Sequence, residues 1–103
     1  MNCSRNDVVL LPIPFTDLTS RKVRPAVVIG RSGSDLFLVP ISSVLSNTDF
    51  PLTEWQKAGL NVSSGVKAQL ATVEERLVVK TVGQLAKNDA KTLNARLRNW
   101  LQL

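Results

Sequence analysis

Short runs of branched apolar residues, each cut off by proline or glycine, constrain this chain more than any other feature. Val8 to Ile13 is continuous. Ala26-Val27-Val28-Ile29 starts after Pro25 and is closed by Gly30, and Leu36 to Val39 stops at Pro40. Such runs are too short for helices and lack the alternation of a half-exposed sheet, so they read as strands buried on both faces or nearly so. Pro12 and Pro14 have no N–H to give, so the first strand ends or lies at an edge there. Arg31-Ser32-Gly33-Ser34-Asp35 has turn chemistry and joins the second and third runs as a hairpin.

Beyond Pro40, Ile41 to Leu45 extends the third strand. Ser46 to Pro51 is a polar connector, and Leu52 to Leu60 forms a short helix or an irregular arm. From Val66 to Val73 the alternation predicts a strand. Val66, Ala68, Leu70 and Thr72 share one face; Lys67, Gln69, Ala71 and Val73 share the other. Arg76 to Val82 is a further β-rich run stopped by Gly83. At the end, Ala90, Leu93, Leu97, Trp100 and Leu101 fall at helical spacing, with Asn88 or a residue just before it as a cap and Asp89 placed to suit the helix dipole. Several short strands and one final helix predict a mainly β (α+β) domain, a small barrel-like sheet closed by a C-terminal α-helix. At 103 residues the chain fits one domain, 1–103.

The net charge of +5 suits a polyanionic partner: RNA, DNA, a membrane surface or an acidic protein. Cys3 is the lone cysteine, so no disulfide staples the fold. Histidine is absent, which removes the commonest general base and transition-metal ligand and leaves Arg, Lys, Asp, Glu, Ser and Thr for any catalysis. The N-terminal apolar stretch is too short and too interrupted by proline for a signal segment or a membrane span, so a cytoplasmic protein is expected.

Four pieces then stand in order: Asp7-Val-Val-Leu-Leu-Pro-Ile-Pro-Phe-Thr-Asp17, Lys22-Val-Arg-Pro-Ala-Val-Val-Ile29, Val39-Pro-Ile-Ser-Ser43, and Val82-Gly-Gln-Leu85 followed by the amphipathic helix. In that sequence and spacing the chain resembles the MazF/PemK family, toxins of type II toxin–antitoxin systems. The resemblance implies an SH3-like barrel with a C-terminal helix, a homodimer, and cleavage of single-stranded RNA without a metal or other cofactor. It also implies silencing by an acidic antitoxin that lies across the RNA site.

The resemblance places the catalytic arginine at Arg24 and a hydroxyl partner at Ser42, with Ser43 next to it. A guanidinium offers paired donors to phosphate oxygens, and a hydroxyl adds another. Some members carry a basic and an acidic residue two apart on a later strand. Here Lys67-Ala68-Gln69 stands in that place: Lys67 can be the basic member, but Gln69 cannot accept a proton, and the alternative register puts Val66 and Ala68 there. Thr16, Ser20, Arg21 and Lys22 flank the expected cleft, where the cations can hold backbone phosphates, and Gln69 joins them as an RNA contact. Trp55 is read as a base-stacking platform, or as packing under the connector or at a dimer interface, Trp100 as core or dimer contact, and Asp17 as a residue that orients the first loop or accepts a proton. Two other functions stay open: an RNA- or peptide-binding module of this fold without catalysis, and a toxin of the CcdB type directed at gyrase.

Overall fold

The computed structural model describes residues 2–12 and 22–103. Thr16, Asp17, Ser20 and Arg21 therefore lie outside the described residues. Seven strands form one antiparallel sheet: β1 (Asp7–Pro12), β2 (Val23–Ser32), β3 (Asp35–Ser42), β4 (Phe50–Pro51), β5 (Gly65–Val66), β6 (Ala71–Glu74) and β7 (Lys80–Gln84). The helix α1 (Lys87–Leu101) ends the fold. The strand order is β4-β5-β3-β2-β1-β7, with β6 also paired to β3. The mainly β expectation with a terminal helix is met, although the hydrogen-bonded path stays open, with β4 and β7 at its ends.

Burial on both faces explains the contiguous apolar runs. Val8, Val27, Val39 and Ile41 face a core shared with Phe50, Leu52 and the α1 residues Leu93 and Leu97. Their neighbours Val9, Leu11, Ala26, Val28, Leu36 and Leu38 face a second core with Cys3 and Val78. Ala90, Trp55 and Trp100 pack against the first core. Leu101, expected on the apolar face, is instead 47% exposed. The hairpin between β2 and β3 turns at Gly33, whose φ of 59° a side chain would resist.

The expected strand from Val66 to Val73 is two strands, and Pro40 is the physical reason. Along one edge of β3, Ile41 and Ser42 pair with β5, while Asp35 to Leu38 pair with β6. Between them Pro40 O accepts Lys67 N–H at 2.9 Å, but proline has no N–H to return. The ladder breaks there, and 67–70 leave the edge before pairing resumes at Ala71. Lys67 and Gln69 therefore do not share a strand face. Gly83, read as a strand stop, lies inside β7. It leaves room for the Ala58 backbone, whose atoms would sit 2.6 Å from an added Cβ.

Asp89 does more than complement the dipole of its own helix. It is 1% exposed and accepts Thr53 N–H and Thr53 Oγ–H, both at 2.9 Å, through Oδ1, and Glu54 N–H at 3.0 Å through Oδ2. This anchors the irregular 53–59 turn, the arm expected from the sequence. Asn88 is not the cap: α1 begins after Ala86 without a side-chain cap, and Asn88 donates to Thr53 Oγ.

Glu75 pins the N-terminal segment. Arg31 grips its carboxylate through both Nη atoms, at 2.9 and 3.1 Å, and Cys3 N–H donates at 2.8 Å. The guanidinium, followed by the Cys3 amide, lowers the Glu75 carboxyl to about 2. A carboxylate acidified by folding stabilises the native state above its unfolded pKa, and that contribution is lost as pH falls toward the folded value. Acid titration of native protein should therefore show stability falling between about pH 4.5 and 2. In Glu75→Gln that part of the acid dependence should vanish, which melting curves across this range will measure. Burial pushes the Cys3 thiol above its ordinary value, so it is a poor nucleophile.

Candidate functional site

The pairing register brings the candidate residues together. In the β2–β3 ladder Ala26 faces Pro40. That pairing stops two residues short of Arg24 and Ser42, which stand at the same ends of β2 and β3. On the other edge of β3, Ser42 faces Gly65 and Ile41 faces Val66, so Lys67 follows directly and bonds to Pro40 O. Three adjacent strands thus end at one place. There a cleft of about 640 Å³ opens, and Arg24, Ser42, Ser43 and Lys67 all line it.

Its floor is apolar, with Leu10, Ile41, Leu60 and Val82, while Asn47, Asn61 and Ser64 add neutral polar groups. Sequence reasoning missed these. Asn47 ends the 3₁₀ turn Leu45–Asn47, and Asn61 lies two residues after Gly59, whose φ of 85° redirects the chain. An isolated glycine after the Trp55 arm was the available signal. An added Cβ at Gly59 would lie 2.2 Å from Val82 O, so the turn needs glycine both for its backbone angle and for its close approach to β7.

Ser42 Oγ accepts Val44 N–H at 3.0 Å, which orients the hydroxyl and leaves its proton to donate. Arg24 is exposed, Lys67 is half-buried, and neither pairs with a carboxylate among the described residues. No described lining residue is acidic. Gln69 and Lys22 do not line the cleft. Among the described residues no group of three or more His, Cys, Asp or Glu gathers as metal ligands, and no helix is long and apolar enough to cross a membrane.

The cleft can receive a phosphate between a guanidinium, a hydroxyl and an ammonium, with room beside it for flat apolar groups. Comparison with known proteins agrees with this architecture. The toxin MazF-mt6 of Mycobacterium tuberculosis superposes with a TM-score of 0.72 at 16% identity, over 94% of this chain and 97% of that one. An endoribonuclease bound to its cognate antitoxin, from a mycobacterial species, gives 0.72 at 15% identity, over 100% of this chain and 97% of that one. Among curated proteins no sequence match is found. The family model of PemK-like, MazF-like toxins of type II toxin–antitoxin systems matches residues 4–101, so the chain belongs to that toxin family.

Proposed function

We propose that this toxin is an endoribonuclease that cuts single-stranded RNA, mRNA included, without a metal ion. The convergence of Arg24, Ser42 and Lys67 on one cleft supports this reading most. In the proposed reaction the ribose 2′-hydroxyl gives its proton to a solvent water as its oxygen attacks the adjacent phosphorus, and the bond to the 5′-oxygen breaks. The products are a 2′,3′-cyclic phosphate and a free 5′-hydroxyl. Arg24 donates to the equatorial oxygens as their charge grows, and Ser42 Oγ–H holds one of them. Lys67 supplies the proton that the departing 5′-oxygen needs. Ser43 and the neutral amides contact the flanking nucleotides. Lys22 and Gln69 extend the RNA contact outside the cleft, and Thr16, Ser20 and Arg21 also contact the RNA. The active form is a homodimer, and an acidic antitoxin silences it by covering the cleft.

Incubation with a mixed single-stranded RNA in excess chelator tests the reading: discrete fragments carrying cyclic phosphates are expected. Intact RNA at every enzyme concentration would overturn it. Ser42→Ala should keep the fold and lose about ten-fold in cleavage rate, the equivalent of one hydrogen bond to a charged group. A second reading, a binder of RNA or peptide without catalysis, draws on the lack of any acidic residue among the described cleft lining. Binding of RNA with no product would favour it.

A further inference from the structure

Two sets of cations stand out among the described residues. Arg31, Lys57, Arg76 and Arg96 each pair with a carboxylate. Lys87, Lys91 and Arg98 are exposed and pair with none among the described residues. Positions 87, 91, 94 and 98 recur at three- and four-residue intervals, so they share one face of α1. The rise of a helix spreads Lys87 and Arg98 over about 16 Å.

Arg5 lies alongside this face and donates to Asn94 Oδ1. Arg5, Asn6, Lys87, Ala90, Lys91 and Asn94 enclose a shallow groove of about 260 Å³. It shares no lining residue with the cleft of Arg24.

We infer that the Lys87–Lys91–Arg98 stripe, flanked by Arg5, is a second nucleic-acid contact that holds the phosphodiester backbone of a strand outside the cleft. Charge favours a phosphate chain here, since these side chains form no ion pair among the described residues. Chemistry disfavours a peptide. A docked peptide relies on buried apolar anchors, and among the described residues the groove offers Ala90 as its one apolar lining residue. Backbone phosphates need no such anchor, and a stripe of this length reaches more than one of them. The inference concerns binding at a separate surface and does not rest on cleavage in the cleft.

The test uses a fluorescent oligodeoxythymidine about twenty nucleotides long, within the range of single-stranded binding sites. It lacks the 2′-hydroxyl, so binding is read without cleavage, and a catalytically inert chain leaves the test intact. Anisotropy titrations over a range of salt compare the parent with two variants of equal net charge. One removes the stripe (Lys87→Ala, Lys91→Ala, Arg98→Ala). The other removes cations elsewhere (Lys57→Ala, Arg76→Ala, Lys80→Ala). All six side chains are exposed, and melting curves are to check that both variants fold. The stripe variant should bind about ten-fold more weakly, with a log–log salt slope shallower by about 2, while the second variant keeps the parent slope. An unchanged slope in the stripe variant, or equal losses in both, would overturn the inference. So would a stripe variant that loses binding to polyglutamate while still holding the oligonucleotide, because the ligand would then be an acidic protein.

Discussion

Arg24→Ala should lower RNA cleavage by about a thousand-fold while the protein melts as before. The size follows from the charge that a phosphorane-like state places on its equatorial oxygens. Removing one well-placed donor to a developing oxyanion typically costs a factor of about 100 to 1,000, and a guanidinium supplies two donors at once. The unchanged melting follows from its setting. Arg24 is exposed at the start of β2 and makes no ion pair among the described residues, so the folded state loses little with it. Arg24→Lys separates charge from geometry: an ammonium keeps the charge but not the fork, so an intermediate loss is expected. Single-turnover cleavage with saturating enzyme reads the chemical step alone. A variant that cuts RNA at the parent rate would remove the arginine from the mechanism.

The largest effect on stability should come from Asp89→Ala. The substitution leaves the Thr53 and Glu54 amides and the Thr53 hydroxyl without their acceptor, at a site with almost no access to water. Unsatisfied buried donors cost about 1–3 kcal/mol each, and water entering the gap recovers part of that, so a net loss of about 3 kcal/mol is expected. For a domain of this size that lowers the melting temperature by about 15 °C. Asp89→Asn keeps one carbonyl acceptor and should fall between the two. Because the 53–59 turn leads into Leu60 and Asn61, the alanine variant should also lose cleavage activity before it unfolds globally. Thermal melts and activity at a fixed low temperature measure both effects. A melting temperature within a few degrees of the parent would show that the turn is held by packing alone.

The parts of this fold legible in the sequence are those whose signal is local. β1, β2 and β3 announce themselves because both of their faces are buried, which requires an unbroken apolar run. The C-terminal helix shows through Leu93 and Leu97 for a similar reason. What escaped is non-local. The break between β5 and β6 has its cause in Pro40, on a different strand, so the perfect alternation of 66–73 points the wrong way. Asp89 looks like an ordinary first-turn acid because its partners lie about 35 residues away. At the site, Arg24 and Ser42 carried a motif, and adjacent ends of β2 and β3 bring both to one cleft. Lys67 joins them through its bond to Pro40 rather than through the strand face assumed for it. Asn47 and Asn61 sit in turns, where no periodicity marks a residue as facing a cleft.

A proline in the middle of a paired strand usually reads as damage to a sheet. In β3 it divides the work of one long strand between two short partners and leaves the span from 67 to 70 tied only at its first amide. Residues in that span answer to neither ladder. The chain just beyond Lys67, at one end of the cleft, can therefore be lengthened, shortened or rewritten while the β3 pairings on either side, and the cores beneath them, stay in register. A scaffold with such a gap can change the strand it accepts without having to fold anew.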